Sequence, residues 1–294
     1  MKTIYDLFEE RYRPLRLRGR SPNTVRLYHC TIRSYSKWLG RQATLDDLTD
    51  LTVSRVLEIR ARQCSPYTAE KERTQLCCLW RFAADLRLVE SRPMVPAAPL
   101  PDRVPKAWSE EDMRSLFRAA SYTRGVIGHV PARIWWPALI SVLWETAERI
   151  GAIMEVEPSD LDPPHLLVRA EYRKGGKRDR VYKLSENTLT LVRACISIRR
   201  SHKVFEWHRN RNSLWRHFGD IVTRAGLGCG WGNGRRSLKF HQIRRSAASH
   251  YAARGGDPVS LLDHSSPRIT KRWYLDTRLT DKAVRPCDTL PGLE

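Results

Sequence analysis

The chain has 294 residues, more than one domain usually holds, and its 52 Lys and Arg against 32 Asp and Glu leave a formal net charge of +20 at pH 7. The length points to two domains, each with its own core, and the charge points to nucleic acid as partner. A transmembrane protein and a disulfide scaffold are excluded. The longest apolar stretch, residues 134–144, is broken by Pro137 and Ser141, the N-terminus lacks the apolar core of a secretory signal, and the seven scattered cysteines include no C-x-x-C pair. The expectation is a soluble cytoplasmic protein with reduced, mostly buried thiols. No basic amphipathic segment singles out a membrane surface as the anionic partner.

In chain order, the first signals are helical. A short N-terminal helix is followed by Ser21-Pro-Asn-Thr, which opens a stripe of Val25, Tyr28, Ile32, Tyr35 and Leu39 closed by Gly40. Residues 48–59 form another helix, and Ser65-Pro-Tyr-Thr opens a fourth with Leu76, Leu79, Trp80 and Ala83 on one stripe. Arg26, Arg33, Lys37, Lys71, Arg73 and Arg81 lie on the polar faces, either as a solvated surface or as a face for DNA phosphates. Residues 91–105, SRPMVPAAPLPDRVP, hold five prolines and read as an interdomain strap.

Mixed structure follows. Ser109 with Glu110, Glu111 and Asp112 starts a helix. A longer one, beginning near Pro137, carries a core stripe of Ile140, Leu143, Trp144, Ala147 and Ile150. Residues 166–172 and 180–184 read as a hairpin around Gly175-Gly176, with Lys174 and Lys177 flanking the turn. Helical signal resumes at Leu189, interrupted by a loop at residues 226–236. The fold class is mainly α with one small antiparallel sheet, an α+β arrangement in the second half.

Breaking and remaking a phosphodiester without a metal needs a nucleophile, an acid for the departing oxygen, and fixed cations for the charge gathering on phosphorus-bound oxygens. Several residues suit those tasks, though each has an ordinary alternative. Arg149 lies near a helix end and is equally an exposed partner for Glu145 four positions earlier. Lys174 at the hairpin tip reaches a leaving oxygen or is a solvated turn lysine, and Lys177 competes with it. His241 and Arg244 share one side of a helix whose Ile243, Ala247 and Tyr251 face the core. His264 sits at a helix end. Tyr274, the last tyrosine of the chain, has a phenol of pKa about 10 that becomes a nucleophile only beside cations.

The ordered set Arg, Lys, His-x-x-Arg, His, Tyr changes the balance. With SPNTVRLY, SPYTAEKERTQL, ETAERIGAI, RKGGKRDR, FHQIRRSAASHYAARGG and LLDHSSPRITKRWY, the chain resembles the tyrosine recombinase (phage integrase) family over nearly its whole length. The resemblance implies six active-site residues, Arg149, Lys174, His241, Arg244, His264 and the nucleophile Tyr274. It implies a SAM-like four-helix core-binding domain (1–95), a proline-rich linker (96–105) and a catalytic domain (106–294), closing as a C-shaped clamp on double-stranded DNA. It further implies a homotetramer on DNA, accessory DNA-bending proteins as candidate partners, a phosphotyrosine intermediate and a Holliday junction, with no metal, ATP or other cofactor. Two departures stand out. The family usually has glycine before the second histidine, where this chain has Asp263, and the histidine-to-tyrosine interval is usually nine residues, where this chain has Trp273. They leave two rival expectations, a DNA-binding relative without catalysis and a type IB topoisomerase.

Overall fold

The structure, a computed structural model, describes residues 3–175, 178–227 and 239–280. Lys177, Cys229, Cys287 and most of the loop expected at 226–236 lie outside the described residues. The chain divides into two compact units, Met1–Pro101 and Asp102–Glu294, and the division falls inside the proline-rich segment.

The first unit is helical because its local signals agree with its packing. Ser21 caps Pro22–Leu39 by accepting from the Thr24 N–H, and Gly40 closes it at φ +69°. Ser65 caps Pro66–Asp85 in the same way, and Asp50–Gln63 lies between them. The N-terminal helix is a run of Ile4–Leu7, a π-helical turn Phe8–Tyr12, and Arg13–Arg16. Ile4, Phe8, Ile32, Tyr35, Val53, Leu76, Leu79 and Trp80 bury the stripes they share. The chain then stays on this core. Trp80 Nε1 donates to Ser91 O (2.7 Å), Arg73 Nη1 donates to Val95 O (3.0 Å), and Val95 is buried. Arg73, also paired with Glu70 at 2.7 Å, is therefore structural and leaves the set of basic residues free for a phosphate backbone.

In the second unit the Ser109 helix, Glu110–Ser121, begins on a capping box with Asp112 as expected. The longer helix differs at both ends. It runs Ala132–Thr146, five residues ahead of Pro137, because burial of Trp135, Trp136, Ala138 and Leu139 outweighs the one backbone bond that proline removes. It stops before Ala147, which takes a left-handed φ of +50°, so Ile150 belongs to a separate turn, Ile150–Ile153. The hairpin strands are His165–Val168 and Arg180–Lys183, with Leu166 opposite Tyr182 and Val168 opposite Arg180. Residues 170–172 form a 3-10 turn in place of continued strand, and Leu161–Asp162 adds a third strand. A second, two-stranded sheet, Val126–Ile127 with Val130–Pro131, was not expected from the sequence.

The remaining helices include Glu186–Ile198, Arg211–Arg224, Lys239–Ala253, Pro258–Leu262 and Pro267–Tyr274. Tyr251 does not face the core. It is 48% exposed, and its ring lies over Gly256, where a Cβ would sit 2.3 Å from it; Ser249 and His250 are buried instead. Of the described cysteines only Cys77 and Cys195 are buried, which corrects the expectation for the thiols. Among the described residues no helix is long and apolar enough to cross a membrane.

Candidate active site

Four of the six candidate residues, His241, Arg244, His264 and Tyr274, meet in the second unit with Tyr274 at their centre, and the Arg149 charge acts on Arg244 and both histidines. The Pro267–Tyr274 helix is capped by Ser266 and ends on the buried tyrosine. The His241 ring meets the Tyr274 ring edge-on at 5.0 Å between centroids, and the His264 ring lies 4.6 Å away. The Arg244 guanidinium is 5.6 Å from the same ring centroid. His241 and Arg244 share a side of Lys239–Ala253, as residues three apart on a helix must.

The ten-residue interval between His264 and Tyr274 is absorbed locally. His264 Nδ1 meets Thr270 Oγ1 at 2.9 Å, so the helix start is tied back to the histidine. One residue is about 100° of helical turn, which leaves Trp273 facing outward at 40% exposure and turns Tyr274 inward. Below the helix, Ser249 Oγ donates to Tyr274 O (2.9 Å) and accepts from the Asp276 N–H (3.0 Å). Asp276, fully buried, accepts from the Ala107 N–H at 2.8 Å and fixes the chain after the tyrosine.

Arg244 is buried and its hydrogen bonds go to backbone carbonyls. Nη1 donates to Ala147 O and Nη2 to Leu262 O (2.8 Å), while Nε is buried with no hydrogen-bond partner. Ala147's left-handed turn is what aims its carbonyl there. Burial, then the neighbouring Arg149, pulls the Arg244 pKa below its ordinary value. Burial and then Arg244 lower His241 to about 3, and the same causes lower His264 to about 4. Both imidazoles are neutral at pH 7.

Arg149 is not on the long helix. It occupies the extended N-cap position before Ile150–Ile153, and Glu145, its expected partner, instead accepts from Ser185 and Thr188. Among the described residues no ion pair engages the Arg149 side chain. Lys174 is exposed at the turn, with no hydrogen bond or ion pair to the cluster among the described residues.

Three residues that sequence reading did not select, or selected for another reason, complete the arrangement. Glu148 is 1% exposed and accepts from Arg173 Nε (2.6 Å), the Tyr182 hydroxyl (2.8 Å) and the Arg149 N–H (3.1 Å), with Arg244 Nη1 at 3.8 Å. Burial opposes its charge, yet Tyr182, Arg244 and Arg173 outweigh that and hold its pKa below the usual range. Arg173 also donates to Asp263 Oδ2 (2.9 Å), and Arg178 donates to Asp263 Oδ1 (2.7 Å). Asp263 does not present a bare carboxylate to the site. Arg178 and then Arg173 hold its pKa low, and its φ of +51° is the conformation that glycine adopts at least cost and aspartate tolerates.

The Phage integrase family model matches residues 107–280. The chain belongs to the phage integrase family, the tyrosine recombinases. Similar proteins include tyrosine recombinase XerD of Ralstonia nicotianae, 24% identical over 86% of this chain and 83% of that one, and XerD of Mycobacterium tuberculosis, 27% identical over 88% and 89%. XerC of Chlorobaculum parvum is 25% identical over 86% of this chain and 85% of its own. The fold is that of lambda integrase, solved as a tetramer bound to a Holliday junction, with a TM-score of 0.70, 18% identity, and coverage of 90% of this chain and 78% of that one. XerH site-specific recombinase, solved on its palindromic difH substrate, matches at 0.69, 15%, 90% and 79%. Within the family, glycine's usual place before the second histidine fits the left-handed turn at Asp263.

Proposed function

We propose that this family member is a site-specific DNA recombinase that cuts and rejoins duplex DNA through a 3′-phosphotyrosine at Tyr274. The observation that carries the reading is the convergence of His241, His264 and Arg244 on one buried tyrosine of the same chain. The Tyr274 oxygen attacks the scissile phosphorus, the bond to the 5′ oxygen breaks, and Lys174 gives that oxygen its proton. Arg149 and Arg244 brace the nonbridging oxygens, a task that suits a planar fork that stays charged. Neutral imidazoles suit His241 and His264 to accept the phenolic proton and to hydrogen-bond the phosphate. A 5′ hydroxyl from a second strand reverses the step. Four copies on two duplexes exchange strands through a Holliday junction in the cytoplasm, with accessory DNA-bending proteins as further partners. The first unit serves as the core-binding domain and the second as the catalytic domain.

The test is a nicked suicide duplex drawn from DNA flanking the gene. Wild type is expected to form an SDS-resistant adduct and Tyr274→Phe none. DNA binding without an adduct would identify a relative that has lost catalysis, and relaxation of plasmids without a specific site would identify a topoisomerase.

A further inference from the structure

Three of the candidate catalytic residues share a feature unrelated to their own side chains. Arg149 follows Glu148, Lys174 follows Arg173, and His264 follows Asp263, and these three preceding residues form one continuous ion-pair chain. Arg173 is its middle member. Its side chain is 2% exposed, with Nε on Glu148 at 2.6 Å and Nη1 on Asp263 at 2.9 Å. Nη1 also donates to Arg178 O (3.2 Å), which closes the base of the turn that carries Lys174. From the far side of that turn, Arg178 reaches the other oxygen of Asp263 and Arg180 reaches Ser260 O (2.8 Å). Three arginines thus dock the hairpin on the segment that leads into His264. Lys174 itself is exposed on a long side chain, so the position of its ammonium depends on where the turn is held.

We propose that Arg173 is a positioning residue for DNA cleavage, fixing the Lys174 turn to Asp263 so that the ammonium is presented to the leaving 5′ oxygen. The inference rests on the reading of Lys174 as general acid. Asp263, in the place where the family usually has glycine, is then the anchor of the hairpin and not a repulsive charge beside the phosphate. A lysine would offer a single nitrogen in place of the separate Nε and Nη1 with which Arg173 reaches Glu148 and Asp263.

The experiment uses two duplexes with the same cleavage site, one ordinary and one with a 5′-bridging sulfur at the scissile phosphate. When the bond to an oxygen breaks, the alkoxide must take a proton from Lys174; when the bond to sulfur breaks, the thiolate leaves unaided. Lys174→Ala should slow cleavage of the ordinary duplex by roughly 100-fold or more and stay within about threefold of wild type on the sulfur duplex. Arg173→Met should show the same pattern, with DNA binding retained. Asp263→Gly, which suits the left-handed turn and leaves the Glu148–Arg173 pair in place, should show it at about tenfold, and it carries the test if Arg173→Met does not fold. Equal loss on both duplexes by a folded Arg173→Met or Asp263→Gly, or loss on neither, overturns the proposal. If Lys174→Ala is not rescued by sulfur while Arg173 is intact, the general-acid reading fails and takes this inference with it.

Discussion

The Tyr274 side of the candidate site and its hairpin side are both crowded with arginine, and they neutralise it differently. Around Tyr274, Arg244 donates to the carbonyls of Ala147 and Leu262 with Glu148 Oε2 farther off at 3.8 Å, Arg245 donates to Trp273 O, and the histidines are uncharged. Carbonyls fix a guanidinium without cancelling its charge, and Glu148 is shared with Arg173 and Tyr182, so this side keeps a positive field. On the hairpin side, Glu148 and Asp263 answer Arg173 and Arg178 with charge of opposite sign. One side holds its charge in reserve and the other uses charge to hold geometry.

That contrast predicts different consequences for damage to each side. Tyr274→Phe should lower cleavage by roughly 10⁴-fold or more while changing unfolding free energy by less than about 1 kcal/mol, measured by adduct formation and urea denaturation. Glu148→Ala should do the reverse in kind. It leaves Arg173 without one of its buried partners and should cost about 3–5 kcal/mol of stability. A loss under about 1 kcal/mol would remove the distinction between the two sides.

Acid should separate them as well. His241 and His264 have folded pKa values of about 3 and 4, below the ordinary 6.5, so the unfolded chain takes up protons that the folded chain refuses. Their contribution to stability is complete above about pH 6.5 and is lost as the pH falls below it. Glu148 and Asp263, held low, contribute above the ordinary carboxylate range and lose that only in stronger acid. Between pH 7.5 and 5.0, His241→Gln should therefore reduce the fall in melting temperature by roughly 2–4 °C, and Asp263→Asn should leave that fall unchanged. The smallest effect belongs to Trp273→Ala. With the ring facing outward, cleavage should stay within about threefold of wild type; a large loss would mean that the helix register places position 273, and not 274, toward the phosphate.

What was legible in the sequence was local. Ser21, Ser65, Ser109 and Gly40 mark helix ends because caps and left-handed closures act within a turn of the chain. The His-x-x-Arg spacing likewise placed His241 and Arg244 on one side of a helix. Arg149 was misplaced because nothing about an alanine announces the left-handed turn at Ala147 that ends the helix early. Arg173 has no local signature at all: its partners lie 25 and 90 residues away, beyond any spacing rule. Asp263 stood out as a departure from the family, but only the fold shows the two guanidinium groups that occupy its carboxylate.

The central claim is that Tyr274 becomes bonded to DNA. Trapping wild type on the nicked duplex, digesting with trypsin and sequencing the nucleotide-bearing peptide by mass spectrometry tests it most directly. The modification is expected on residue 274 of the peptide WYLDTR; a modified peptide containing any other tyrosine, or a trapped complex carrying no covalent nucleotide, would contradict a Tyr274 linkage.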